Sequence, residues 1–368
     1  MTGVRAAARA PSPSRDSVPD ASPTRVAASA LAARRQALRR RERRVVTGLA
    51  VGLLLVAALS LSVGAYWVSV PDLVATLLGQ GTASENFIVL TLRLPRLVLA
   101  LLVGVAFALS GAVFQSVLRN PLASPDIIGV TGGASAAAVF GMLILGFGAL
   151  STSLAAFGGA VVVAVVIYAL AWRGGVVGYR FVLIGVGVAF MVQGLLGYLL
   201  SRADLNDAQG ALLWLVGGVS GARWTNIGVL AALLAVLLPV LWLLSGRLRA
   251  LQLGDDTATS LGVATERSRL LLLAVAVALA AIATAAVGPL AFVAFVSAPI
   301  ARRISGTGGL ALVPAALVGA LITTVADFTA QHLLPGGLQL PAGIITGVIG
   351  APYLLWLLAT SHKSGKGA

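Results

Sequence analysis

The sequence predicts an all-α, polytopic membrane protein of about ten transmembrane helices, with both termini in the cytoplasm. Three observations predict this class: 58% of the 368 residues are hydrophobic, only 10% are charged, and the mean hydropathy is +0.99. A soluble domain needs a more polar surface than this composition can provide. The apolar residues also form runs long enough to cross a bilayer.

Residues 1–44 precede the first apolar run and differ from the rest of the chain. They are rich in Ala, Ser and Pro and hold eleven of the 26 basic residues. We predict a disordered cytoplasmic tail whose arginines lie against anionic lipid headgroups. A transit peptide or a nucleic-acid-binding arm is the alternative, but a membrane span follows the tail, not a soluble domain. The net charge of +14 therefore does not indicate nucleic-acid binding.

Residues 45–360 form the predicted membrane domain, and its clearest span is Leu97–Leu118. These 22 residues carry no charge and cover about 30 Å as a helix. Pro121 and Pro125 then end the helix, because proline lacks an N–H and displaces the preceding residue from helical geometry. The same reading places the spans near 45–66, 97–118, 127–147, 152–171, 180–200, 225–245, 270–287, 289–304, 310–331 and 341–359. The span at 289–304 is short and contains Pro299.

Basic residues predict the orientation, because lysine and arginine are retained on the cytoplasmic side. With the amino terminus inside, four arginines face outward, at positions 93, 96, 202 and 223. Eleven basic residues lie inside, namely Arg119, Arg173, Arg180, Arg247, Arg249, Arg267, Arg269, Arg302, Arg303, Lys363 and Lys366. Residues 361–368 are then a cytoplasmic tail.

The composition argues against catalysis and against a metal site or other cofactor. The chain has no cysteine and two histidines, His332 and His362, which fall near opposite membrane faces. No phosphate-binding G-x-x-x-x-G-K-[ST] loop is present, so a pump would draw its energy from another polypeptide. Ion-coupled transport would need a buried carboxylate; Asp126 and Asp327 lie at the margins of spans, where a helix cap or a local pair is the plainer interpretation. A secondary transporter remains the alternative from another class.

Four segments, in order, resemble one family. They are SGAVFQSVLRNPLASPDIIGVTGGA (Ser110–Ala134), LGDDTATSLGV (Leu253–Val263), GPLAFVAFVSAPIARR (Gly288–Arg303) and LPAGIITGVIGAPYLLWLL (Leu340–Leu358). Together they are similar to the permease subunits of type II, binding-protein-dependent ABC importers for iron siderophores, haem and cobalamin. The resemblance extends over residues 45–360.

The longest hydrophilic stretch between spans is Gly246–Arg269, and orientation places it in the cytoplasm. Asp255 and Asp256 favour a helix start there. A solvated connector would explain the stretch equally well on residue chemistry alone. The resemblance implies a coupling loop that rests in a groove of the ATPase subunit, with the contacts made by Leu253, Gly254, Ala258, Leu261, Gly262 and Val263.

The resemblance also implies an external docking site for a substrate-binding protein. Arg93 and Arg96 occupy the places of arginines that meet acidic residues on that partner. Both could instead be interfacial anchors that extend to the headgroups. A further family arginine is replaced by Gln331, which cannot form an ion pair, so docking on that side is expected to differ.

Pathway residues are expected on the fifth span and the turn before it. By resemblance, Val177, Gly178 and Tyr179 form a cytoplasmic gate and the span lines the conduit. Gln193 is the candidate pathway polar group, because an amide facing lipid would leave its donors and acceptors unpaired. The glycines of this span are also explained by close helix packing.

The sequence therefore predicts a permease subunit of a bacterial ABC importer in the cytoplasmic membrane, which is not itself an enzyme. The strings SAPIARR, RNPLASPDIIG and WLVGGVSGARW (Trp214–Trp224) resemble the ferric-catecholate branch of this family. That resemblance implies an iron(III)-siderophore of the catecholate type, with haem or cobalamin as the alternative. The expected partners are two ATPase subunits, a second permease chain in a heterodimer, an extracytoplasmic binding protein and membrane lipids. No nucleic-acid partner is expected.

Overall fold

The computed structural model describes residues 23–172, 178–306, 309–334 and 339–361, and these residues are largely helical. The helices are α1 (Pro23–Ser62), α2 (Val70–Leu77), α3 (Ala83–Asn86), α4 (Leu94–Val117), α5 (Val130–Leu145), α6 (Ala149–Ala171), α7 (Gly178–Arg202), α8 (Leu205–Val216), α9 (Trp224–Gln252), α10 (Asp255–Ser260), α11 (Thr265–Val287), α12 (Val293–Ser305), α13 (Leu312–His332) and α14 (Ala342–Ser361). A π-helical segment, Phe87–Arg93, joins α3 to α4. The all-α prediction is confirmed.

Every predicted span coincides with a helix, but the helices differ in their capacity to cross a bilayer. Within the described ranges, seven are long and apolar enough, namely α1, the continuous stretch from α3 to α4, α6, α7, α9, α11 and α13. Apolar residues 130–145 and 342–357 form shorter helices, and α12 has only 13 residues. The total of ten spans and the side of each terminus remain predictions.

The amino-terminal segment differs from its prediction. Residues 23–44, expected to be disordered, belong to α1, which continues without interruption into the membrane span. Ala, Arg, Leu, Gln and Glu dominate residues 30–44, and all are good helix formers. Since the membrane span already supplies a helical nucleus, extending it costs little. Arg41 of this extension donates hydrogen bonds to the Ile304 carbonyl at the end of α12.

The centre of the bundle is α4, which packs against α9, α11, α12 and α13. Small residues allow the close approach: a Cβ on Gly104 would collide with the backbone of Gly319, and one on Gly111 with the carbonyl of Ala294. Side-chain hydrogen bonds reinforce the packing, from Ser110 Oγ to the Ala276 carbonyl at 2.6 Å and from Thr323 Oγ1 to the Ala100 carbonyl at 2.7 Å. The central helix is thereby joined to α11 and α13.

A second layer lies against this core, with α5 packed along α6 and α7 beside α5. Gly133 on α5 and Gly159 on α6 face each other so closely that a Cβ on either would meet the other's carbonyl oxygen. The outer surfaces of α6 and α7 are exposed and apolar. In a membrane protein such surfaces face lipid or a second subunit.

Candidate functional site: coupling loop, external arginines and central cavity

The loop predicted to lie in the cytoplasm and to contact an ATPase contains the short helix α10, bounded by two glycines. Gly254 has φ +110° and Gly262 has φ +78°. Residues with a Cβ rarely adopt such backbone angles, so these positions require glycine to turn the chain into and out of the helix. Asp255 and Asp256 occupy the first turn of α10, where carboxylates interact favourably with the helix dipole.

An ionic network joins this loop to the end of the central helix. Asp255 accepts hydrogen bonds from Arg119, which follows α4, and from Arg269 on α11, the latter at 2.9 Å. Arg269 also contacts Glu266 at 2.6 Å, and Arg119 donates to the Leu251 carbonyl at 2.7 Å. The network therefore connects the end of α4 to α9, α10 and α11.

The charges of this network determine the ionisation of Asp255. Partial burial raises the pKa of its carboxyl, but hydrogen bonds and positive charge from Arg269 and Arg119 outweigh burial, so the pKa lies below its ordinary value. Asp255 is therefore ionised at neutral pH. Its negative charge keeps both arginines in place.

The surface of the loop carries two large exposed apolar side chains, Leu253 and Leu261, which are 64% and 62% exposed. Gly262 is exposed beside them, and Gly254 and Val263 are partly buried. Ala258 is fully buried, so the structure places it in the chain's own core and not on the predicted contact surface. The sequence prediction of a docking surface therefore applies to its exposed neighbours.

The first of the two arginines predicted to be external, Arg93, binds the end of α1. Its guanidinium donates hydrogen bonds to the carbonyls of Leu61, Ser62 and Tyr66, at 2.6, 3.1 and 2.5 Å. Carbonyls in the last turn of a helix receive no hydrogen bond from within the helix, so a cationic donor can satisfy them. Arg93 thus has a structural function in this chain.

The second external arginine, Arg96, pairs with Asp327 of α13. Nε lies 3.0 Å from both carboxylate oxygens and Nη2 lies 2.7 Å from Oδ1. Gln331 donates to Oδ2 of the same carboxylate at 2.7 Å. The structure thus brings two predicted docking residues, Arg96 and Gln331, together around Asp327, which was expected from the sequence to pair locally. Docking of a partner at Arg93, Arg96 and Gln331 remains a prediction.

The predicted pathway residues are only partly described. Val177 lies outside the described residues, and Gly178 begins α7. Tyr179 is 77% exposed. Gln193 is exposed and lines a cavity of about 450 Å³ together with Asp126. A cavity of about 620 Å³ adjoins it.

Sequence analysis missed the partners of Arg119 and the position of Asp126 in a cavity. The residues Arg119, Pro121 and Pro125 indicated only a turn, because pairing with a loop more than a hundred positions away has no local signal. No group of three or more His, Cys, Asp or Glu side chains that could hold a metal ion occurs in the described part of the chain.

Comparison with known proteins identifies similar chains. The FecCD transport family model matches residues 40–360. The ferric enterobactin transport system permease protein FepG of Escherichia coli (strain K12) is 42% identical over 82% of this chain and 91% of its own length. The achromobactin transport system permease protein CbrC of Dickeya dadantii (strain 3937) is also 42% identical, over 84% of this chain and 90% of its own.

A solved structure is similar over most of its length. It is a metal-chelate type ABC transporter in an inward-facing conformation, with a TM-score of 0.74 and 27% sequence identity. The match covers 86% of this chain and 99% of the solved one. The helical arrangement described above is therefore one that has been determined for an ABC transporter.

Proposed function

The chain belongs to the FecCD transport family, and on that basis we propose that it forms the membrane pathway for an iron(III)-siderophore of the catecholate type. It is a multi-pass permease subunit of a bacterial ABC importer for iron chelates and is not itself catalytic, since ATP is hydrolysed by a separate subunit. The observation that carries the proposal is the family match over residues 40–360. The catecholate preference is supported by the 42% identity to the ferric enterobactin permease.

Other cargo types are the alternative within this family. Permeases named for achromobactin, for Fe(3+)-citrate and for iron(3+)-hydroxamate are 42%, 36% and 34% identical to this chain. A haem or cobalamin importer is a further alternative from the sequence resemblance. An ion-coupled secondary transporter is the alternative of another class, and the family membership argues against it.

We propose that the energy of ATP hydrolysis reaches this chain through the loop 246–269, whose exposed leucines form a contact surface for a partner subunit. Leu253 and Leu261 are each more than 60% exposed on this loop. Apolar surface in water is unfavourable, and burying it against a partner protein removes that free-energy cost. We assign the partner as one of two ATPase subunits. Leu253, Leu261 and Gly262 form its contact surface, and Val263 supports them from below.

The ionic network transmits movement of that loop to the membrane domain. Asp255 at the start of α10 is bonded to Arg119 and to Arg269, and charge-assisted hydrogen bonds of this kind are the strong ones. A displacement of α10 by the ATPase therefore acts on the chain segment that follows α4. That segment leads to Asp126 and the central cavities.

The external partner is a binding protein that delivers the chelate. Arg93, Arg96 and Gln331 lie near the external ends of α1, α4 and α13. The bonds from Arg96 to Asp327 use Nε and Nη2, and we propose that Nη1 contacts an acidic group on the partner. Electrostatic attraction would then raise the rate of docking more than its final strength.

A second permease chain completes the pathway, and a heterodimer is favoured over a homodimer by the sequence resemblance. The exposed face of α7 is apolar, with Phe190, Met191 and Tyr198 each more than 60% exposed. We assign this face to the partner permease, so that Gln193 on the same helix lines the conduit between the two chains. The gate residues Gly178 and Tyr179 begin that helix.

Uptake of a radiolabelled chelate tests the function. Cells expressing this chain with its partners should accumulate iron-55 from ferric enterobactin and should stop when the ATPase carries a substitution that abolishes hydrolysis. Deletion of this chain should have the same effect. Accumulation that persists with the inactive ATPase would refute the ABC importer, and accumulation only from ferric citrate or a ferric hydroxamate would refute the catecholate assignment.

A further inference from the structure

Several helices end inside the bundle and meet at one place. The α8–α9 connection touches the α11–α12 connection, where the Gly218 N–H donates to the Val287 carbonyl at 2.9 Å. The first turn of α14 joins them through a hydrogen bond of 3.1 Å from the Gly343 N–H to the Gly217 carbonyl. Non-helical backbone at membrane depth is tolerated where it is covered by protein or lines a cavity.

Two adjoining cavities open at this meeting point. Their volumes are about 620 and 450 Å³, and Asp126, Thr131, Leu215 and Pro289 line both. Ligand sites typically have this size, with mostly apolar walls and a few polar groups that fix orientation. The polar side chains here are those of Asp126, Thr131, Ser135 and Gln193.

Asp126 is the one charged residue among the described residues that line these cavities. Its carboxyl interacts with the Thr131 side chain through a hydrogen bond, whereas Oδ2 is buried and has no hydrogen-bond partner among the described residues. A buried acceptor without a donor is costly, and the cost is larger when the acceptor is charged. One oxygen of the Asp126 carboxylate therefore lacks a hydrogen-bond donor among the described residues.

A helix-capping role does not account for this carboxylate. The residue preceding α5 is Gly129, and no side chain caps that helix. The Asp126 backbone carbonyl, not its carboxylate, accepts from the Gly129 N–H, and Ser124 Oγ accepts from the Ile127 N–H. The turn is thus held by groups other than the Asp126 side chain.

We propose that Asp126 is a cargo-binding residue of the translocation pathway, which accepts a hydrogen bond from an N–H or ammonium group on the organic framework of the chelate. The inference rests on the proposed function. The same carboxylate repels the anionic oxygens that hold iron, so it orients the chelate with its organic framework toward α5. Thr131, Ser135 and Gln193 supply further polar contacts around the apolar walls.

Uptake kinetics of D126N test the proposal. Asparagine keeps the shape but removes the charge, and the loss of one charge-assisted hydrogen bond should lower the initial uptake of iron-55 by about tenfold or more. D207N, which neutralises an exposed aspartate on α8, is the matched control and should transport at the wild-type rate. Both variants should assemble with the ATPase to the same extent as the wild type, which shows that they fold. A D126N complex that transports at the wild-type rate, or whose loss of uptake equals its loss of assembled complex, overturns the proposal.

The natural absence of cysteine permits a second measurement that does not depend on transport. In D126C, the single thiol of this chain should react with methanethiosulfonate ethylammonium, and ferric enterobactin delivered by its binding protein should slow the reaction by about tenfold. In S110C the thiol replaces a buried hydroxyl and should stay unmodified. A D126C thiol that does not react, or that reacts equally fast with and without the chelate, also overturns the proposal.

The two hypotheses fail differently. Uptake is measured for ferric enterobactin, ferric citrate and a ferric hydroxamate, and the chelate that the wild type transports is used for the D126C protection measurement. A wild type that transports none of the three refutes the proposed function. A wild type that transports one of them, with D126N equally active, refutes only the role of Asp126.

Discussion

Arg96 on α4 and Asp327 on α13 form a bidentate ion pair that is almost entirely enclosed by protein. The side chains are 18% and 4% exposed, and their closest contact is 2.7 Å. Gln331 adds a third donor to the carboxylate. The partners are 231 positions apart in the sequence, so the pair fixes two helices that no local interaction would hold together.

Removing one member of this pair should destabilise the protein. R96M leaves the Asp327 carboxylate buried without its cation, which costs about 3–5 kcal/mol in comparable sites. R202M removes an exposed arginine from the end of α7 and should cost less than about 1 kcal/mol. Thermal unfolding of the purified chain in detergent measures both, and equal melting temperatures for the two variants would contradict the structural importance of the pair.

Docking of a binding protein at Arg96 needs a variant that keeps the helices joined. The charge swap R96D/D327R retains an ion pair between α4 and α13 while it reverses the direction of the pair. We expect its thermal stability to exceed that of R96M and its affinity for the binding protein to fall about tenfold, most clearly at low salt. Unchanged affinity at low salt would instead identify Arg96 as purely structural.

The coupling surface should be sensitive to a single charge. L261D places a carboxylate where the structure has an exposed leucine, and desolvating that charge in an interface should abolish co-purification with the ATPase. L205D makes the same change at an exposed leucine on α8 and should leave co-purification intact. Recovery of the full complex with L261D would remove residues 253–263 as the contact surface.

Close packing of the central helix predicts a contrast between two glycines. G111A adds a methyl group that collides with the Ala294 carbonyl of α12, whereas nothing lies within 4 Å of a Cβ on Gly194. Overpacking should cost about 1–3 kcal/mol in G111A, and G194A should be neutral or slightly stabilising because alanine favours helix. Melting temperatures in detergent make the comparison.

The ionisation of Asp255 predicts a definite pH range. Because its folded-state pKa lies below the ordinary value, its stabilisation is fully present above the unfolded-state pKa of about 3.9 and is lost as pH falls through the folded-state pKa. The difference in melting temperature between wild type and D255N should therefore stay constant from about pH 8 to 5 and shrink below about pH 4. A difference that already declines between pH 8 and 6 would show that another group controls the network.

The span positions could be predicted because each depends on a continuous apolar run with a local breaker. Leu97–Leu118 was found this way, and the structure ends α4 at Val117. Residues 23–44 were expected to be disordered, but the structure includes them in α1. Their composition indicates that they cannot form a hydrophobic core, but it does not show that the adjoining membrane span can extend its helix into them. The short helix α8 was not predicted either, because its twelve residues are too few to form an apolar run of membrane length.

Candidate residues that lie close together in the sequence could be proposed from it, whereas contacts between distant segments could not. Leu253, Leu261 and the two flanking glycines belong to one segment, and the exposure of the two leucines fits a hydrophilic loop. The pairing of Asp327 with Arg96 and that of Asp255 with Arg119 depend on tertiary structure. Ala258 and Asp126 show the same limit, because neighbouring residues do not reveal which side chain of the six-residue helix α10 is buried or which side chain lines a cavity.

The central helix is anchored at both of its ends. Arg96 holds its first turn to α13, and Arg119, just past its last turn, is bonded to Asp255 in the loop 246–269. Sliding α4 along its own axis would break a charge-assisted bond at one end or the other. A conformational cycle that preserves both bonds must therefore move α4, α13 and the start of α10 together as one body.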